Sequence, residues 1–176
     1  MKIACILLNL SLLLLVSCGE DNKPSTINDD TSATDQKKAI TAKAIEDFKF
    51  TDYVLSSNGE QVVVNWDKYQ ELAIQVSYLK KADLSFFNGD KALLKGFIDT
   101  LKLEIPDTLQ TNPIISRTTI IETTLLRLNE NLTLDNIDYS LKLQSVEEVL
   151  IAFSNLNYQI NKKLEKDIYS QIESEY

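Results

Sequence analysis

The stretch Ser145-Val146-Glu147-Glu148-Val149-Leu150-Ile151-Ala152-Phe153-Ser154-Asn155-Leu156-Asn157-Tyr158-Gln159-Ile160 decides the fold. Apolar side chains recur at Val146, Leu150, Phe153 and Ile160, and the pattern runs on through Leu164, Ile168 and Ile172. Steps of three and four residues place them on one side of an α-helix, because 3.6 residues complete a turn. Ser145 and Glu148 have capping-box spacing, so the helix is expected to start there. From Val146 to Ser174 it would span roughly 43 Å at 1.5 Å per residue and overhang shorter neighbours. Asn157 falls where the stripe expects an apolar residue; it reads as a solvated or satisfied bundle asparagine rather than a register- or partner-specifying group.

The same period recurs upstream. Asn112-Pro113 opens a helix with proline at its tolerated first position, and Ile114, Thr118, Ile121, Leu125 and Leu128 form its stripe. Asn129 to Asn131 is expected to end it. Asp90, after Asn88-Gly89, is a cap for a helix carrying Leu93-Leu94, Phe97-Ile98 and Leu101, which must stop near Ile105 before Pro106. Ser57 and Glu60 repeat the capping-box spacing ahead of Val62, Trp66, Tyr69, Ala73 and Val76. Asn58-Gly59 is the best hairpin dipeptide in the chain, but its flanks lack period-two alternation, so a helix, turn, helix reading is favoured. Asp35 is expected to cap a first helix carrying Ile40, Ala44, Phe48 and Val54-Leu55. The sum is an all-α antiparallel bundle of about five helices over residues 35–176.

Composition narrows the chemistry. The chain has 176 residues, 44% of them hydrophobic, with 18 basic and 26 acidic groups, no histidine and two cysteines. Without histidine there is no Ser-His-Asp or Cys-His device and no histidine metal ligand. The net charge of −8 disfavours nucleic acid, whose phosphates call for a basic footprint.

The N-terminus supplies an address. One lysine, Lys2, precedes an apolar run from Ile3 to Val16. That run is shorter than the roughly twenty residues a spanning helix needs and has the form of a signal peptide. Leu15-Val16-Ser17-Cys18 resembles the lipobox of bacterial lipoproteins. The resemblance covers the leader only and implies cleavage of residues 1–17, with acylated Cys18 as the first mature residue. It also implies that Cys5 leaves with the leader and that no free thiol stays behind. Acyl chains contribute about 0.8 kcal/mol per buried methylene, so two or three hold a protein to a membrane firmly. Glu20-Asp21 is similar to the surface-export signal of Bacteroidetes lipoproteins, although Gly19 leads straight into the acids without a further spacer residue; the plain alternative is the start of a polar tether. Among residues 19–34 only Ile27 and Ala33 are apolar, and after the lipidated Cys18 this stretch reads as a disordered tether. No family resemblance emerges for the helical body.

Motifs for catalysis are few. Ser77-Tyr78-Leu79-Lys80 has the Ser-x-x-Lys spacing of penicillin-binding enzymes, without their companion Ser-Asp-Asn and Lys-Thr-Gly elements. Asp83, Ser85 and Gly89 hint at a calcium loop, but Phe87 takes a ligand position and the glycine comes one place late. Glu147-Glu148 and Asp135 with Asp138 read as first-turn and capping acids. Phe86-Phe87, Tyr53, Tyr158 and Tyr169 are aromatic candidates for either core or contact surface. The expectation is a non-enzymatic, lipid-anchored binding or assembly protein of the bacterial outer membrane or cell surface. Its expected partners are the membrane, through Cys18, and an envelope or extracellular protein. No cofactor is implied. The alternative is a bundle that handles a small ligand or metal with carboxylates and tyrosines.

Overall fold

A computed structural model describes residues 39–174, with side chains to residue 173. The leader, Cys18, Glu20, Asp21 and the Asp35 cap lie outside the described residues. Among those described, the protein is an all-α bundle of six helices with no strand. They are α1 (Ala42–Glu46), α2 (Ser57–Val62), α3 (Asp67–Leu79), α4 (Lys91–Leu103), α5 (Asn112–Thr133) and α6 (Tyr139–Ser174), with a 3-10 turn at Asp107–Leu109. None is long and apolar enough to cross a membrane.

The most extensive packing joins α5 to α6, and the other helices lean on this pair. The stripes explain why. Ile114, Thr118, Ile121, Leu125 and Leu128 of α5 are all buried, as are Val146, Leu150, Phe153 and Ile160 of α6. Beyond Leu164, which still packs against the core, α6 outruns its neighbours: Ile168 and Ile172 are exposed. Trp66, Phe87, Ile98 and Leu101 close the core from the other side.

Helix boundaries differ from the sequence expectation in four places, each for a physical reason. The first helix is only α1, capped by Thr41 Oγ1, which accepts from the Ala44 amide. Residues 48–56 run on as a non-helical strap. Phe48 and Phe50 are half-buried while Lys49 and Thr51 are exposed. That alternation, with aromatic and β-branched residues around it, favours extended backbone. The second difference is at Asn58-Gly59, which lies inside α2 rather than in a turn; the cap is Ser56, whose Oγ accepts from the Gly59 amide at 3.2 Å. Gly59 is needed for close approach, because a Cβ there would lie 3.0 Å from Asn161 Oδ1 and 3.1 Å from Leu55. The real break comes after Val62, and it lets both Val63 and Trp66 turn inward.

Third, α5 runs one turn past Asn129 to Thr133, because Asn129 is buried and bonded to a loop instead of capping its own helix. Fourth, α6 starts at Tyr139, six residues before Ser145. The Asp138 carbonyl accepts from the Leu141 and Lys142 amides, so this acid opens the helix. Ser145 is buried within it, its hydroxyl donating to the Lys142 carbonyl, and Glu148 pairs with Arg127. A capping box needs its serine outside the helix, and here helical residues precede it. Asp90 does cap α4, accepting from the Ala92 and Leu93 amides.

Candidate functional site

The strap is held by one face of α6. Ser154 Oγ donates to the Thr51 carbonyl at 2.7 Å and accepts from the Tyr53 amide at 2.8 Å. Asn157 Nδ2 donates to the Tyr53 carbonyl at 2.9 Å. Asn161 Nδ2 donates to the Val54 carbonyl at 2.8 Å, and its Oδ1 accepts from the Ser56 amide at 2.9 Å. Steps of three and four along α6 bring these three side chains to one side. They satisfy strap backbone groups that lack a neighbouring strand, which is the condition for placing extended chain against a core. Asn157 Oδ1 also accepts from the Tyr69 hydroxyl at 2.7 Å, so this asparagine is satisfied as its place in the stripe suggested.

Beside the strap lies an open groove of about 460 Å³. Val54 and Leu55 of the strap, Val63 and Val64 after α2, and Ala73 of α3 form its apolar walls. Val54 is 75% exposed and Val64 61%. Glu60 and Gln70 contribute polar groups, and Gln70 Nε2 is held by the Val63 carbonyl. Tyr69 also borders the groove, stacked between Trp66 and Phe153.

Burial pushes the Tyr69 phenol well above the usual tyrosine range, and the charge on Glu60 adds to the rise. A phenol near 10 in the unfolded chain but higher in the fold keeps its proton longer when folded. The unfolded state therefore binds fewer protons above pH 10. Its contribution to stability is complete below pH 10 and is lost as pH rises toward the folded value. Relative to Tyr69→Phe, the protein should lose up to about 1.4 kcal/mol per pH unit above pH 10. Urea titrations from pH 9 to 11.5 check this; parallel curves for the two proteins would refute it.

The catalytic candidates are not brought together. Ser77 turns its hydroxyl to the Ile74 carbonyl, while Lys80 pairs with Asp52 of the strap. Asp83 accepts from the Ser85 amide and hydroxyl in a local turn, which holds its carboxyl below the usual range. Phe87 is fully buried. Several of the acids pair with cations: Glu122 with Lys102, Glu148 with Arg127 and Asp99 with Lys95. Among the described residues no three His, Cys, Asp or Glu side chains gather closely enough to hold a metal ion. The aromatic candidates divide. Phe86 meets both Phe87 and Phe97 edge to face, Tyr53 pairs with Tyr158 at 4.7 Å at the surface, and Tyr169 stands exposed on the overhang of α6.

Sequence reading missed the strap and its ladder. Ser154 and Asn161 beside Asn157 form a polar row in the middle of an apolar helix, and that row was the available signal. It also missed Glu104, whose carboxylate accepts from the Lys68 amide at 2.9 Å and caps α3, where Trp66 offers no side-chain cap. No local spacing announces a cap donated by another helix. Comparison with family models, with characterised proteins and with solved structures finds no match to this chain.

Proposed function

We propose that the protein is a lipid-anchored, non-enzymatic binding or assembly protein of the bacterial outer membrane or cell surface. In this reading Cys18 carries the acyl chains, residues 19–34 form the tether and the helical body meets an envelope or extracellular protein. The observation that carries it is the open groove beside the strap. Val54 and Val64 leave apolar surface in water at its rim, and such surface is commonly a contact site. Glu60 at the groove and the acidic balance of the chain suit a partner segment in which a basic residue flanks an apolar one. The lipobox-like Leu15-Val16-Ser17-Cys18 supports the anchor.

Two experiments test the two halves. Cells fed labelled palmitate should label the wild-type protein, and Cys18→Ala should abolish the label and shift the protein into the soluble fraction. Label that persists in Cys18→Ala refutes the anchor. Crosslinking in intact cells should recover a partner with the wild type and lose it with the exposed double variant Val54→Asp/Val64→Asp. Equal recovery of that partner by both proteins refutes the groove.

A further inference from the structure

Helix α4 carries the two most exposed large apolar side chains among the described residues, Leu103 at 83% and Leu93 at 77%. Leu93, Gly96, Thr100 and Leu103 follow one another in steps of three, four and three, which lines them up along the helix. The core face of α4 is a different one, made of Leu94, Phe97, Ile98 and Leu101. A cleft of about 450 Å³ borders the line, with Phe86, Leu93, Leu94, Gly96, Phe97 and Thr100 among its walls. Gly96 keeps this side of the helix low. A Cβ there would have nothing within 4 Å, so no packing within the chain calls for a glycine, and glycine is a poor residue for a helix interior.

The polar side chains around the cleft are already matched. The Thr100 hydroxyl donates to the Gly96 carbonyl at 2.9 Å, and Asp90 accepts from the Ala92 and Leu93 amides. Lys68 and Glu71, which also border the cleft, pair with each other at 2.7 Å. A charged ligand finds no unanswered charge here, whereas an apolar side chain finds leucine and phenylalanine. The line itself says which chain supplies that side chain. Leu93 and Leu103 lie five residues to either side of Ile98, and Gly96 and Thr100 two residues to either side. A second α4 laid antiparallel, about a two-fold axis level with Ile98, therefore sets leucine against leucine twice and glycine against threonine twice. Charge matches under the same axis. Lys95 and Asp99, at the margin of the line, pair at 3.1 Å within the helix and are more than half exposed. The two-fold brings each Lys95 to within about 3 Å, along the helix axis, of the partner's Asp99.

We propose that two copies of this chain pair through antiparallel α4 helices into a two-fold dimer. The missing side chain at Gly96 lets the helices approach closely at the axis. Each Leu103 then packs beside the partner's Leu93 at the mouth of the cleft, and each Asp99 gains the partner's lysine. The dimer needs neither the anchor nor the groove beside the strap.

Photo-crosslinking of the full chain in intact cells tests this, with p-benzoylphenylalanine in place of Leu93. Illumination should give a product of twice the chain's mass, in which residue 93 is joined to the tryptic peptide Leu103–Arg117 of the second copy. Within one chain that link would have to cross about 15 Å of helix, which is beyond the probe's reach. Gly96→Glu and Leu103→Glu should each lower the yield of this product at least tenfold. Both positions are exposed, so neither variant acts through the core. The proposal is overturned if no product of double mass forms or if either variant leaves its yield unchanged. It is equally overturned if residue 93 is joined to residues 92–95 of the second copy, as in a parallel pairing, or to a different protein.

Discussion

Trp66→Ala should lower the free energy of unfolding by about 3–5 kcal/mol, the range for truncating a buried aromatic side chain. Trp66 is fully buried, stacks on Tyr69 at a ring separation of 5.2 Å and donates from Nε1 to the Leu101 carbonyl at 2.8 Å. Truncation therefore removes apolar burial, leaves a cavity and orphans a carbonyl near the end of α4. A domain of this size is typically stable by about 5–15 kcal/mol, so the variant should be close to unfolding at 37 °C. Trp66→Phe keeps most of the volume but still orphans the Leu101 carbonyl, and its loss should be smaller, about 1–3 kcal/mol. Urea titrations should show the midpoint falling in that order with an unchanged slope. A loss below 1 kcal/mol for the alanine variant would contradict the position of Trp66 in the core.

Asn157→Leu should be nearly as severe, although it adds an apolar residue to an apolar stripe. The asparagine accepts from the Tyr69 hydroxyl and donates to the Tyr53 carbonyl, and it is 6% exposed. Leucine leaves both of those groups without their partner. A buried orphan costs about 1–3 kcal/mol, and the Tyr53 carbonyl is only part-buried, so the loss should be about 2–5 kcal/mol. Tyr69→Phe alone should cost about 1–3 kcal/mol, because it leaves Asn157 Oδ1 unpaired. The double variant Asn157→Leu/Tyr69→Phe removes hydroxyl and acceptor together, so its loss should fall short of the sum of the two single losses by about 1 kcal/mol or more. Strict additivity would show that the two side chains do not interact. Proteolysis offers a second readout: Asn157→Leu should loosen the strap, so that trypsin cuts at the already exposed Lys49 faster than in the wild type and before the body unfolds.

Much of the fold was legible in the sequence, and α5 shows why. Its stripe from Ile114 to Leu128 is buried residue for residue, and Pro113 does sit at its start. Hydrophobic periodicity and proline placement are properties of consecutive residues, so a sequence displays them directly. Asp90 is legible for the same reason, because the amides it caps lie two and three residues away. The errors gather where polar residues have distant partners. Ser145 with Glu148 has the right spacing for a cap, yet Glu148 is committed to Arg127 on another helix. Asn129 resembles a helix stop but is bonded to the loop at Phe87 and Gly89, about forty residues away in sequence. Asn58-Gly59 resembles a turn, whereas the glycine is there because Asn161 passes close to it.

The candidate sites follow the same division. The lipobox-like run ending at Cys18 is local and can be read from adjacent residues. The groove at Val54 and Val64 exists only because the strap is pinned across α6. The sequence by itself determined the helical class, the buried faces of α5 and α6 and the lack of histidine chemistry, because each is a matter of residue type and short-range period. Tertiary structure alone decided that residues 48–56 form a strap and that Ser154, Asn157 and Asn161 hold it. A buried backbone group must find a hydrogen bond wherever the fold offers one. In this protein the strap's partners lie about a hundred residues along the chain.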